Sequence, residues 1–228
     1  MKNQENGVSR RRMLGMAIGS GGLILSGATG SAIAQESKRL ITWPLPLGPF
    51  YPQIKPLDQD ADLTMIAGKP GRAEGKVIHL VGCVMNLKGE PVIGAKVEIW
   101  QTDSKGRYKH PSDLNPVPAD PNFQGYSTQL TDAEGRYRFK TVKPAPYPVL
   151  FLVSSMRAPH IHFEVSGKFD RVVTQMFFPN EPLNAQDGSF GRLNAAYKEA
   201  AIARILPPTK EFEADSVIAV WDIVLPTG

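Results

Sequence analysis

The chain has 228 residues, enough for one well-buried domain or, at a stretch, two small ones. Gly 21 and Pro 20 are high for that length and helix-favouring runs are scarce, which points to strands joined by turns and away from a helical bundle. Of the formal charge of +4, residues 1–34 hold three (Lys2, Arg10, Arg11 and Arg12 against Glu5), so the rest is near +1 and its composition argues against nucleic-acid binding.

Ser9-Arg10-Arg11-Arg12-Met13-Leu14 opens the chain's first recognisable segment. A mildly apolar stretch to about Leu25 and the small residues up to Ala32-Ile33-Ala34 follow it. That order is expected of a twin-arginine signal peptide cleaved after Ala34. With Gly15, Gly19, Gly21 and Gly22 the stretch is too weakly apolar for a permanent membrane anchor. The export machinery is then a partner, and the mature chain is expected in the periplasm or outside the cell.

Residues 35–75 read as an extended N-terminal arm. Pro44, Pro46, Pro49, Pro52 and Pro56 forbid a helix there. Residues 76–228 read as an all-β catalytic domain, an antiparallel β-sandwich with few short helices. Lys76–Met85 and Ala95–Gln101 are expected to pair with each other. Tyr126–Leu130 and Arg136–Val142 are expected to form a hairpin across Thr131–Gly135. Val149–Ser154, His160–Val165, Arg171–Phe178 and Val217–Leu225 supply further strands, and Leu193–Arg204 is the best helix candidate. Cys83, alone and in an apolar run, reads as a buried, inert thiol.

His160-Ile161-His162 places two imidazoles on one face of a strand otherwise built from Phe163 and Val165. Burying both is costly unless a partner satisfies them, and a metal does so. Taken alone, the pair fits a structural or surface role, or zinc or copper, as well as iron.

The surroundings narrow this. Tyr108 stands in Gly106-Arg107-Tyr108-Lys109-His110, Tyr147 in Pro144-Ala145-Pro146-Tyr147-Pro148, and Arg157-Ala158-Pro159 just before the histidines. With the run Leu80 to Tyr108, Asp120–Gly125, Leu130-Thr131-Asp132, Gly135–Phe139 and Val173-Thr174-Gln175, the chain resembles the intradiol ring-cleavage dioxygenases over about Gly48 to Leu183. Within that family it is most similar to the iron-binding chain of the protocatechuate-cleaving members.

The resemblance implies a sandwich enzyme with Fe(III) held by Tyr108, Tyr147, His160 and His162. Its substrates are a catechol and O2, and its product is a cis,cis-muconate-type diacid. It implies that Tyr147 leaves the metal when the catechol binds, that Arg157 stabilises charge on the activated ring, and that Gln175 orients that arginine. Tyr51 and Val149 are implied at the substrate pocket. A hard, highly charged ion with two phenolate oxygens, two neutral imidazoles and a hydroxide is a neutral centre, which a dry pocket tolerates.

Three features depart from the family pattern: Leu47 in the arm, the apolar run Val149–Val153 and the order Arg157-Ala158-Pro159. Val149 to Met156 are expected to form part of the pocket wall, and their apolar character argues against a carboxylate-bearing catechol. A homo-oligomer or a related second chain is a possible partner. The competing readings are a secreted transthyretin-like binding module without catalysis, and a copper or zinc sandwich using His160 and His162 only. His79 and His110 match no ligand position and are read as structural or solvated.

Overall fold

In a computed structural model of the protein, the structure describes residues 39–149 and 155–228. The expected signal peptide, and all but the first residue of the expected strand Val149–Ser154, lie outside the described residues. Among the described residues no helix is long and apolar enough to cross a membrane.

The strands in chain order are β1 (Val77–Asn86), β2 (Lys96–Trp100), β3 (Tyr126–Leu130), β4 (Arg136–Val142), β5 (Tyr147–Pro148) and β6 (Met156–Arg157). They continue with β7 (His160–Ser166), β8 (Arg171–Phe177), β9 (Arg204–Leu206), β10 (Val217–Val220) and β11 (Ile223–Leu225). One five-stranded sheet runs β11-β1-β10-β9, with β4 also paired to β1. A four-stranded sheet has the order β3-β2-β7-β8, and β5 and β6 form a small ribbon. A short helix, α1 (Ala195–Ala201), is capped by the Asn194 side chain accepting from Tyr197 N.

Alternation explains the layering. Ile78, Leu80 and Phe139 from one sheet meet Val97, Ile99, Ile161, Phe163 and Val165 from the other, all fully buried. Each large side chain removed from water in this way contributes roughly 1.5–3 kcal/mol. The all-β sandwich with few short helices is therefore as expected.

The pairing differs from expectation in three places. β2 pairs with β3 and β7, and not with β1. β3 and β4 do not form a hairpin, because β4 pairs with β1 in the opposite sheet. Thr131 explains both: its hydroxyl donates to Val92 O (2.6 Å) and accepts from Ala95 N (2.8 Å), holding the ends of two crossing connections together. Third, the sheets are not wholly antiparallel, since β1 pairs in parallel with β10 and β11. The expected strand Val217–Leu225 is interrupted at Trp221–Asp222. There the Tyr137 hydroxyl donates to Trp221 O (2.5 Å) and Asp222 Oδ1 accepts from Cys83 N (2.9 Å), replacing ladder bonds. The helix is shorter than expected, ending at Ala201, and Arg204 belongs to β9.

Cys83 is half-buried, where the sequence leads one to expect a buried thiol, and burial pushes its thiol up. His79 stacks on Phe212 at 3.9 Å with its Nε2 2.7 Å from Glu213, and His110 Nδ1 accepts from Ser112 N (3.1 Å). Both serve structure.

The arm lies along the outer edge of β8. Leu45 N donates to Val173 O (2.9 Å), Thr174 Oγ1 to Trp43 O (2.9 Å) and Gln175 Nε2 to Pro46 O (2.8 Å). An edge strand whose backbone and side-chain groups are used in this way is closed to further pairing there.

Candidate active site and metal centre

The histidine pair sits on β7, opposite Trp100 of β2 and Gln175 of β8 in the sheet register. Both imidazoles point to the outer face of the four-stranded sheet, under the arm. His162 is held between two planes: the Trp100 ring stacks on it at 4.8 Å and 10°, and Gly48 crosses its edge. Gly48 has φ +75, and a Cβ there would lie 3.1 Å from His162 Cε1. Only glycine gives the arm both that turn and that approach.

Tyr108, from a loop, and Tyr147, at the start of β5, reach the same place from two segments that are tied together. Gly106 (φ +81) lies so close to Pro146 that a Cβ would stand 2.4 Å from the Pro146 carbonyl oxygen. Ala145 N donates to Asp103 O (3.1 Å) and Thr102 Oγ1 to Ala145 O (3.0 Å). Asp113 accepts from Tyr108 N (2.7 Å) and from Asn115 N (2.9 Å), fixing the tyrosine's backbone. The two tyrosine rings meet edge-on, centroids 5.1 Å apart, and Tyr147 lies 5.7 Å from the His160 ring.

These four side chains are 1–4 % exposed. Burial pushes both phenols above their usual range. It lowers His160 to about 3 and His162 well below the usual imidazole range. All four are thus neutral at pH 7 when no cation is present.

Their polar atoms are poorly served by protein alone. His160 Nδ1 donates to Ala158 O (2.6 Å), which leaves its Nε2 a bare lone pair. That lone pair faces His162 Nε2 at 3.1 Å. His162 Nδ1 has no partner, so whichever tautomer His162 takes, a buried nitrogen is left without its match. The buried Tyr108 hydroxyl has no partner either. A cation bound by the two facing Nε2 atoms and the phenol oxygens relieves the lone-pair clash and the orphaned Tyr108 hydroxyl, so the residues fit a metal. Among the described residues no group of three His, Cys, Asp or Glu side chains gathers to hold one. The two phenols border the histidine pair.

Arg157 lies beside the cluster. Its Nη1 is 3.3 Å from the Tyr147 hydroxyl, and its Nη2 donates to Gln175 Oε1 (2.6 Å). Gln175 is fully buried and ties this arginine to the arm through Pro46. A cavity of about 640 Å³ opens over Tyr147 and Arg157, walled by Pro46, Pro49, Phe50, Leu114 and Val149, with Arg192 also lining it. A larger hollow of about 800 Å³ over β1 and β4 is lined by His79 and includes neither His160 nor His162. Charges in it pair with one another, Asp132 with Arg136 and Lys140 with Asp62, which leaves it without a convergent polar set.

Of the residues singled out in the sequence, Tyr108, Tyr147, His160, His162, Arg157 and Gln175 are brought together, and Val149 lines the cavity. Tyr51 is not at the cavity. Its ring packs edge-on against Trp100 at 4.9 Å, with Lys55 Nζ 5.7 Å from its centroid, and Phe50 is the aromatic of the arm that faces the cavity. Alternation along an extended arm sends neighbours to opposite sides. Trp100, Asp113 and Asp187 were not singled out; the turn pair Asp187-Gly188 is the only local sign of the last.

Two buried histidines on the sheet face thus meet two buried tyrosines from outside that sheet, beside a cavity of about 640 Å³. The sequence profile of the family described as Dioxygenase matches residues 47–226. The chain belongs to the intradiol ring-cleavage dioxygenase family and is an enzyme of that class. It is 42% identical over 174 residues to the protocatechuate 3,4-dioxygenase beta chain of Burkholderia cepacia, covering 75% of this chain and 73% of that one. It is 30% identical over 181 residues to hydroxyquinol 1,2-dioxygenase of Corynebacterium glutamicum, covering 74% of this chain and 56% of that relative. The fold matches the intradiol ring-cleavage dioxygenase structure from Tetranychus urticae with a TM-score of 0.62 at 21% identity, over 82% of this chain and 95% of that chain.

Proposed function

We propose that Tyr108, Tyr147, His160 and His162 hold Fe(III), and that the enzyme splits a catechol between its two hydroxylated carbons with O2 to give a cis,cis-muconate-type diacid. One observation supports this above the others: two phenols and two imidazoles are buried together, with the Tyr108 hydroxyl unpartnered and the two histidine Nε2 atoms facing each other, beside a cavity. Phenolate oxygen favours a hard trivalent ion over zinc or copper. When bound, such an ion supplies a Lewis acid that ionises phenols and draws electron density out of the catechol ring.

The chain's own groups carry the rest. Tyr147 borders the cavity, so its phenolate oxygen is placed to take a proton from the entering catechol. Arg157 is placed to hold that hydroxyl once free and to steady negative charge on the ring. Gln175 keeps the guanidinium aimed there. Phe50, Pro49 and Val149 exclude water from the ring.

Arg157 and Arg192 line the cavity beside Val149, so its wall accepts a catechol with or without a carboxylate. Residues 1–34 are read as a twin-arginine leader, so the folded enzyme is exported with its metal and meets its substrate in the periplasm or outside the cell. A related second chain is a candidate partner, since one relative is named as the beta chain of its enzyme.

The test is a visible absorption spectrum of the purified protein with iron quantified, before and after anaerobic addition of catechol. A red-brown tyrosinate-to-iron band that shifts with catechol supports metal, ligands and substrate class together. A protein that stays colourless after ferric iron is supplied overturns the iron reading and leaves a binding module on this fold.

A further inference from the structure

Asp187 lies between the two 3-10 turns Pro182–Gln186 and Phe190–Arg192, and its side chain is 0% exposed. Nothing in the chemistry above uses it, yet its carboxylate bonds directly to the segment between Tyr147 and His160. Its Oδ2 accepts from Arg157 Nε (2.8 Å) and from Ala158 N (3.0 Å), and its Oδ1 lies 3.4 Å from Arg157 Nη2. Its Oδ1 also accepts from Ser189 N (2.9 Å) and Phe190 N (3.1 Å), which anchors the carboxylate to its own turn.

These bonds reach both halves of the site. Arg157 carries the guanidinium that faces Tyr147 and Gln175. Ala158, whose N–H is held by the carboxylate, is also the residue whose carbonyl takes the Nδ1 proton of His160. A single buried carboxylate thus sets the aim of the arginine and the orientation of one imidazole. β6 is only two residues long and pairs only with β5, so the sheets do not hold this segment in place.

We infer that Asp187 is a positioning residue for ring cleavage, coupling the substrate-facing Arg157 to the metal-facing His160 through the segment Arg157-Ala158-Pro159. This rests on the functional reading above. It acts through geometry: an amide has one acceptor oxygen where the carboxylate uses two, so either the Arg157 and Ala158 bonds or those of Ser189 and Phe190 are lost, and the guanidinium is no longer held from both sides. Misplacement of a catalytic group by about 1 Å costs on the order of 100-fold in rate.

The experiment compares wild type, Asp187→Asn, Arg157→Gln and the double variant as iron-loaded enzymes. Three quantities are read: iron per chain, the tyrosinate-to-iron band before and after anaerobic catechol, and kcat and KM. Asp187→Asn is expected to keep its iron and resting band while kcat falls roughly 10- to 100-fold with a smaller change in KM. Because the effect passes through Arg157, adding Asp187→Asn to Arg157→Gln is expected to cost little more than Arg157→Gln alone. An Asp187→Asn enzyme with wild-type kcat, or effects that multiply in the double variant, overturns the inference. Should Asp187→Asn fail to fold, Asp187→Glu carries the test: it keeps the charge but moves it by one methylene, and wild-type kcat in that variant overturns the inference. A wild-type enzyme without the iron band or ring cleavage overturns the underlying functional reading, and this inference with it.

Discussion

The Nε2 atoms of His160 and His162 lie 3.1 Å apart, and the Ala158 carbonyl has already claimed the Nδ1 proton of His160. Two buried rings are thereby aimed at each other with at most one proton between them. The arrangement makes sense when a cation takes the lone pairs. It predicts that ferric iron raises the melting temperature of the apoprotein, since a ligand at 1,000 times its dissociation constant stabilises by about 4 kcal/mol. His162→Ala should abolish that increment and the visible band together. A thermal melt with and without iron checks it, and an equal increment in His162→Ala would place the metal elsewhere.

Tyr108 separates stability from function. Its hydroxyl is buried without a partner, so Tyr108→Phe removes an unsatisfied polar atom. The apoprotein should be unchanged or up to about 1 kcal/mol more stable by denaturant titration. The same variant should lose most of its iron colour and ring-cleaving activity. A strongly destabilised Tyr108→Phe apoprotein would mean the hydroxyl has a partner after all.

Gly48 tests the arm. Ala at φ +75 is strained by roughly 1–2 kcal/mol, and its Cβ would press on His162 at 3.1 Å. Gly48→Ala should lower both stability and iron retention. Ala at Gly188, where added bulk meets nothing, is the control. Equal iron retention in the two variants would show that the arm does not clamp the histidine.

The apoprotein should be acid-sensitive. His160 is lowered to about 3 and His162 also lies far below 6.5, both chiefly by burial. Between pH 6.5 and about 3 the unfolded chain therefore binds protons that the folded chain refuses. Stability is full above 6.5 and falls as pH drops through that window. Asp187 acts in the same direction lower down: burial alone would raise it, but Arg157 overrides this and holds it below 3.8. Its contribution is present above that value and lost beneath it. Melting temperature against pH should slope downward from 6.5, and His160→Asn should flatten the slope. A flat wild-type profile between pH 6.5 and 4.5 would contradict the burial of the pair.

The sequence by itself determined a good deal. Period-two alternation in β1, β2 and β7 is a local property, because successive side chains must point to opposite faces. The sandwich and the shared face of His160 and His162 followed from it, and the spacing of Tyr108, Tyr147 and Arg157 around that pair carried the family resemblance. Only the tertiary structure decided which strands pair. Thr131 and Trp221 redirect the chain between sheets through side-chain bonds to residues distant along it, and no periodicity records those partners. The same holds for the site's outer supports. Tyr51 and Phe50 are neighbours in one extended arm, and which of them meets the cavity depends on how the arm lies over β8. Asp187 follows Arg157 by thirty positions, and a lone acidic residue in a turn gives no local sign that its carboxylate is buried against a guanidinium. A strand's face is set by its own covalent geometry. A buried ion pair is set by whichever distant charge the fold brings within 3 Å.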